Sequence, residues 1–472
     1  MIASVGRMMR KGGGGLSWPA GMKEHIKAWY DPKKQGMTNF DVIESYVTDF
    51  TTWRTADKNY VGLTIRSSSF SISFNKVSNH VIMWKPNYLF NEEGQVKLQV
   101  SGITNNISII IKHGTQEFPI VNGVNTFSFT QEENKSLSFV CKNVFQDTNI
   151  TITQLPTSIL KDFSGNGNHA YLYGGKGKLN SGVGIYAQDF KNWNYGSAIN
   201  SNISTKSYNK FHIVKKKADN WFGFTIGVPK NNYYNQSYKL KFNINKKIND
   251  IKFNVVSTDG NLKTTNVYSV KINDGSIIDI PVISEEIFNN NKEETNIYYD
   301  FGTNKDIEID VELIADYPNQ LCYDGKSYAV AYGLPILTDY TVMAERTWFE
   351  KEEYSAFISN SLGGMEDPSN GAFSVELKSL NSFTTISFGS ITSIGIPEKG
   401  ITYQTKQSYN GNSINVGTKE SNDILILGGR YFYKNDNVAG NTWTGCHGTI
   451  IVADRSFTEE EINWLKDNLF RK

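Results

Sequence analysis

The residues best spaced for chemistry are Glu308, Asp310 and Glu312, in the run Glu308-Ile309-Asp310-Val311-Glu312. Side chains alternate along a strand, so the three carboxylates share one face and Ile309 and Val311 take the other. Glycoside hydrolysis needs two carboxyls about 5–9.5 Å apart, one as acid and one as nucleophile or base. Neighbours two residues apart lie about 7 Å from each other and meet that need. Glu308 and Glu312, about 13 Å apart, meet it only across a bulge. Alternating charge also serves as a solvated or edge-protecting face. We expect no enzyme, with these three residues as the runner-up catalytic set.

Other chemistry has less support. Six histidines (His25, His80, His113, His169, His212 and His447) are dispersed without zinc-ligand spacing. The run Asp162-Phe163-Ser164-Gly165-Asn166-Gly167-Asn168 offers calcium the oxygen ligands it takes, Asp162 with backbone carbonyls. It reads more readily as an Asx-type turn held without metal, with the glycines at positive φ, so no cofactor is expected. Neither a G-x-S-x-G elbow nor a Walker-type loop occurs; Gly174-Gly175-Lys176-Gly177-Lys178 lacks the spacing. The aromatic residues Trp193, Tyr195, Trp221 and Phe222 lie in polar, Asn- and Gly-rich surroundings, and Trp443 lies in Asn441-Thr442-Trp443-Thr444-Gly445. Of these, Trp193, Tyr195, Trp221 and Trp443 are the glycan-binding candidates, against the commoner use of such rings in a core.

The elements that must position these residues are strands. The 472 residues include 25 tyrosines and 27 phenylalanines but only 11 prolines, a balance that favours β-rich folds with polar turns. A net charge of +1 provides no global field toward nucleic acid or an anionic membrane. No apolar run approaches the ~18 residues of a membrane-spanning helix. Cys141, Cys322 and Cys446 are odd in number and widely spaced, which predicts buried thiols made in a reducing compartment. Residues 1–24 read as an arm, in which Arg7, Arg10 and Lys11 precede Gly12, Gly13, Gly14 and Gly15. The arm has no uninterrupted apolar core of about 7–15 residues and is not expected to act as a secretion signal.

Two stretches, 48–156 and 205–318, are dense in short alternating strands, and each ends near a proline. Both predict small β-sandwiches, and their shared pattern predicts a diverged internal repeat. Glu308, Asp310 and Glu312 fall in the second. The matching strand of the first, Ile150-Thr151-Ile152-Thr153, has no acids. Near the C-terminus, Thr458-Glu459-Glu460-Glu461 forms a capping box, Phe457 and Ile462 a hydrophobic staple, and Ile462, Leu465 and Leu469 one apolar face. This helix should dock on a sandwich edge.

Three segments carry a family resemblance. Asp162 to His169 is similar to the D-x-S-G-N-G-N-H opening of concanavalin A-like (laminin-G-type) jelly-roll modules. Leu337-Thr338-Asp339-Tyr340-Thr341-Val342-Met343-Ala344 resembles their L-T-D-F-T-V-S-A strand. Thr449 to Ile462 resembles their I-x-V-x-D-R-x-L-T-x-E-E-I ending. The resemblance implies an all-β chain, a discontinuous jelly roll formed by 25–47, 157–204 and 319–472, with two inserted sandwiches, 48–156 and 205–318. The E-x-D-x-E run also matches the pattern of laminarinase-like glycoside hydrolases of this fold. Tyr30 to Asn39, together with the modular layout, resembles virion proteins of crAss-like and related phages of gut Bacteroidota. What that implies is a non-enzymatic head fibre or other surface decoration, assembled in the host cytoplasm, with host-glycan adhesion. The implied partners are other virion proteins, reached through the arm at Arg7, Arg10, Lys11 and Gly12 to Gly15, and copies of the chain itself, as a trimer. The alternatives are a virion glycoside hydrolase and a bacterial surface glycan-binding protein.

Overall fold

The run Thr449-Ile450-Ile451-Val452-Ala453 is too continuously apolar for a strand with one wet face. The computed structural model places it in Thr444–Ala453, a ten-residue strand buried throughout. Outside the described residues lie 1–16, 38–41, 44–47, 57–60, 67, 75–79, 91–93, 105–106, 144–148, 174–178, 183–189, 191–202, 208, 216–222, 227–237, 246–250, 259–263, 282–295, 303–305, 362–370, 434–437 and 471–472. The protein is all-β, with antiparallel pairing throughout the described strands and one short C-terminal helix.

Thr444–Ala453 is the spine of a nine-stranded sheet. It pairs with Thr341–Trp348 along one side and with Ile26–Tyr30 and Tyr317–Asp324 in succession along the other. An eight-stranded sheet running from Ile159–Leu160 to Ser390–Ile394 packs against it. Ala28, Tyr30, Val342 and Ile450 of the first sheet share one core with Phe357, Phe373, Val375 and Leu427 of the second.

Ile451, Ala453 and Met343 face the opposite way, into a second cluster with Ile462 and Leu465 of the helix Glu459–Leu465. The capping box is present, with both Thr458 and Glu461 bonding back. The helix docks on the outer face of the sheet, however, not on an edge. The spine strand needs cover on both sides, and the helix supplies it.

The three segments of the family resemblance converge. Ile26–Tyr30 pairs on one side with the spine, and the 162–168 loop bonds its free edge. Asn168 Nδ2 donates to Lys27 O at 2.8 Å and Asn166 Nδ2 to Ile26 O at 2.8 Å. The loop thus satisfies backbone carbonyls that an uncovered edge would offer to another chain. Gly165 and Gly167 adopt φ of 98° and 79°, as their place in the turn demands. Elsewhere Ser456 donates its N–H and Oγ–H to the two oxygens of Asp339, at 2.7 and 2.6 Å, tying the second segment to the third.

Polar struts cross the dry interior. Arg346 on Thr341–Trp348 reaches Glu376 on Phe373–Lys378, in the other sheet, with Nη2–Oε1 at 2.7 Å and Nε–Oε2 at 2.8 Å. Both side chains are almost wholly buried. Trp348 Nε1 and the Tyr409 hydroxyl also donate to Glu376, and Arg346 Nη1 donates to Gly400 O and Glu398 O. Glu376 sits where the pairing with Phe383–Ser387 skips a residue, at φ 56°. A bulge is what turns an acid inward on a strand. Gln404 provides a second strut, donating to Tyr340 Oη and, across the sandwich, to Ile386 O.

The strands from Arg54–Thr55 to Asn149–Leu155 build two five-stranded sheets around a core that includes Phe70, Phe139, Leu98 and Ile152. Those from Ile203–Lys206 to Ile307–Ile314 build a five- and a four-stranded sheet around Phe211, Phe242, Phe253 and Val311. Phe190 joins this second core, so the second lobe begins before residue 205.

Strand order is the same in both lobes. Counting the first lobe's strands after Arg54–Thr55, each five-stranded sheet runs first, second, last, fourth, seventh. Each partner sheet runs third, eighth, fifth, sixth, with Arg54–Thr55 added at one edge of the first. Phe70-Ser71-Ile72 in one stands where Phe211-His212-Ile213 stands in the other, each beside the lobe's last strand. The lobes also rejoin the sandwich close to where they leave it. Thr48 N–H donates to Gln154 Oε1 at 2.9 Å, and Gly182 pairs with Tyr317. No helix among the described residues is long and apolar enough to cross a membrane.

Two outcomes check these assignments. Replacing residues 49–153 by a short Gly/Ser linker should leave a soluble remainder with one cooperative melting transition; aggregation would count against separate folding. Glu376→Gln should cost about 3–5 kcal/mol in denaturant unfolding, because it strands a buried guanidinium, and adding Arg346→Met should restore much of the loss.

Candidate functional site

Alternation along Thr341–Trp348 turns Val342, Ala344 and Arg346 inward and leaves Met343 and Glu345 on the outer face. Opposite Glu345 the spine strand carries an extra residue: Ala344 pairs with Ile450 and Arg346 with His447, leaving Gly448 and Thr449 against Glu345 alone. This bulge floors a cleft of about 610 Å³. One wall is the single helical turn Pro32–Gln35, capped by Asp31, whose Oδ1 accepts from Lys34 N at 2.9 Å. A second is the chain end at Asn468 to Phe470, and a third is Pro318 to Gln320.

Glu345 is the chemically distinctive group. Burial pushes its carboxyl above the usual carboxylate range, Lys399 and Lys33 oppose that rise, and Asp31 adds to it. Oε1 accepts one long bond, 3.3 Å, from Gln320 Nε2. A side chain at position 448 would put its Cβ 2.4 Å from Glu345 Oε2 and push the carboxyl from its present place. Behind Gln320, the Cys446 thiol donates to Gln320 Oε1 at 2.8 Å, and Cys446 stands in register with Cys322. Burial raises the Cys446 thiol pKa, so this sulfur is held as an inert thiol. All three cysteines are buried thiols outside any disulfide, as their spacing predicts.

Across the cleft Lys34 Nζ lies 3.6 Å from the centre of the Trp29 ring, and burial lowers its pKa. Trp29 is 6% exposed, and among the described residues its buried indole N–H has no acceptor. Beneath the bulge His447 is wholly buried, bonded to Tyr323 Oη and Gly448 O, and burial lowers its pKa to about 4. It is neutral at pH 7 and holds the bulge in place. Carboxyls, amides and ammonium groups facing one space can bind a polar ligand through many directed hydrogen bonds.

Glu308, Asp310 and Glu312 do share one face of Ile307–Ile314, with Ile307, Ile309, Val311 and Leu313 buried behind them. They are not in the cleft. His212 Nδ1 lies 2.9 Å from Asp310 Oδ1, His212 Nε2 3.6 Å from Glu308 Oε1, and Lys210 Nζ 4.0 Å from Asp310 Oδ2. Glu312 is in register with Lys210 and Lys241 on the flanking strands. In the twin lobe the corresponding face carries Ser69, Ser71, Thr151 and Thr153.

The Asp162 carboxylate is fully occupied by its own loop and the neighbouring strand Ile26–Tyr30. Oδ1 accepts from Trp29 N at 2.9 Å and Ser164 N at 2.8 Å; Oδ2 accepts from Ser164 Oγ at 2.7 Å and Asn168 N at 3.0 Å. The Asx-type turn is the arrangement present. Among the described residues no group of three or more His, Cys, Asp or Glu is placed to hold a metal ion.

Trp443 is a correction. It is 0% exposed, with its ring 4.7 Å from that of Phe357 and 5.6 Å from that of Tyr323, so it fills the core and has no free face for a sugar. Trp193, Tyr195, Trp221 and Phe222 lie outside the described residues, as do Arg7, Arg10, Lys11 and Gly12 to Gly15. Sequence reasoning missed Glu345 and Gln320. The one local hint was a charged pair, Glu345-Arg346, inside an otherwise apolar strand.

No protein-family model matches the chain, and no curated protein matches it. Among solved structures it is similar to the secreted serine protease VesC from Vibrio cholerae, with 10% identity over 56% of this chain and 51% of that one and a TM-score of 0.14. It is also similar to vicilin from Corylus avellana (hazelnut), with 9% identity over 61% of this chain and 85% of that one and a TM-score of 0.12. The matched region spans about half the length of the protease. Likenesses this distant carry no argument.

The Glu345 carboxyl gives a pH signature. The folded chain holds this proton more tightly than the unfolded chain, so stability falls as pH rises from the ordinary value of 4.5 through the raised folded value. Above that the full cost persists. Glu345→Gln cannot ionise, so it should melt higher than the parent at neutral pH, with the difference vanishing below pH 4.5. Melting curves across that range check it.

Proposed function

We propose that this chain is a non-enzymatic structural protein of a phage virion, a head fibre or other surface decoration that adheres to host glycan. Its two-sheet sandwich is a laminin-G-type jelly roll carrying two inserted sandwiches. The observation that carries this reading is the attachment of the lobes. Each leaves and rejoins the sandwich at neighbouring points, Thr48 beside Gln154 and Gly182 beside Tyr317. A body organised in this way displays modules without rebuilding its core.

The pairing of Glu308 and Asp310 with His212 and Lys210 on a sheet face supports a scaffold over a hydrolase. A hydrolase needs an acid and a base facing one substrate, and in the twin lobe the positions matching Glu308, Asp310 and Glu312 hold Asn149, Thr151 and Thr153.

Mass spectrometry of purified particles of the encoding phage should find the chain as a component. Deleting residues 1–15 should leave a folded, soluble protein that no longer enters particles. Absence of the full chain from particles would overturn the reading. Release of reducing ends from host surface polysaccharide, abolished by Glu308→Gln, would replace it with glycoside hydrolysis.

A further inference from the structure

We infer that the cleft at Glu345 binds a neutral saccharide of a few sugar rings. The inference rests on the adhesive part of the proposed function and assigns that adhesion to a cleft away from the buried Trp443. At about 610 Å³ the cleft falls within the range of small-ligand sites, about 300–1,000 Å³.

Its lining decides the ligand's chemistry. Asp31 and Glu345 present carboxyl groups, while Lys33 and Lys34 present ammonium groups, around the same space. An anionic ligand would meet the two acids, and a cationic ligand the two lysines. Hydroxyl groups donate to the first pair and accept from the second, so a neutral polyol uses all four. The amides of Asn319, Gln320 and Asn468 add donors and acceptors of the kind that orient sugar hydroxyls.

One group in the cleft has unused hydrogen-bonding capacity. Among the described residues the Glu345 carboxyl makes one bond, the 3.3 Å contact from Gln320. A carboxyl accepts at both oxygens, so ligand hydroxyls can donate to Oε2. Gly448 keeps the floor open beneath Glu345 Oε2.

Saturation-transfer NMR on the full chain tests this. The probes are maltotetraose, cellotetraose, laminaritetraose and mannotetraose, with tetragalacturonate and chitosan tetramer as charged comparators. At least one neutral probe should show transfer and the charged ones none. Glu345→Gln, nearly isosteric, should weaken that binding about tenfold, and Asn468→Trp should abolish it by filling the cleft. At neutral pH Glu345→Gln should melt above the parent, as its pH signature requires, and Asn468→Trp close to it; if Asn468→Trp fails to fold, Glu345→Gln alone decides. Unchanged binding in Glu345→Gln would overturn the assignment to this cleft while leaving adhesion intact. Transfer to none of the neutral probes, or to the charged ones alone, would overturn the inference altogether. Particle incorporation is measured separately, so failure of the virion reading is distinguishable from either result.

Discussion

A guanidinium and a carboxylate cannot sit in a dry sandwich unless they meet, and Arg346 and Glu376 meet across its full thickness. That contact constrains much else. It needs a bulge and a left-handed residue on Phe373–Lys378 to turn Glu376 inward, a conformation costing on the order of 1–3 kcal/mol. It also needs Trp348, Tyr409 and the carbonyl of Gly400 to fill the remaining hydrogen-bonding positions. Because the partners belong to different sheets, the pair sets how one sheet lies against the other. A purely apolar core would allow sliding. The same alternation that sends Arg346 inward sends Glu345 outward, so the interior strut and the surface cleft are two faces of one strand.

What was legible in the sequence is what depends on near neighbours. The positive-φ glycines at 165 and 167, the capping box at Thr458 and the three carboxylates on one face all follow from local spacing, and all are present. What was not legible depends on distant partners. Trp443 lies in a polar stretch that reads as surface, yet Phe357 and Tyr323, from other strands, enclose it. The inward turn of Glu376 is set by a bulge with no glycine to announce it. The cleft draws on five separated stretches of chain, and no local pattern encodes such convergence. The helix face was visible in the spacing, but its docking surface followed from a spine strand apolar on both sides.

The two lobes show how one plan supports different surfaces. The inward positions stay large and apolar, Phe70 and Ile72 in one and Phe211 and Ile213 in the other. Between them the outward position holds Ser71 in the first and His212 in the second. Packing fixes the inward set, because a core change of one methylene is felt. The outward set faces water and can change its charge freely, which is why one lobe can carry an E-x-D-x-E run where the other carries neutral side chains.

The spine strand also sets an order of events during synthesis. His25 bonds Asp454, a separation of 429 residues, and Ile26–Tyr30 waits for the same late segment before it has a partner. Each lobe, by contrast, closes on strands of its own stretch of chain. As the chain leaves the ribosome, the lobes can fold in turn while the sandwich around them remains open. The body of the molecule is therefore finished last, after the parts attached to it, and a chain that stops short of Thr444 carries folded lobes on an unclosed body.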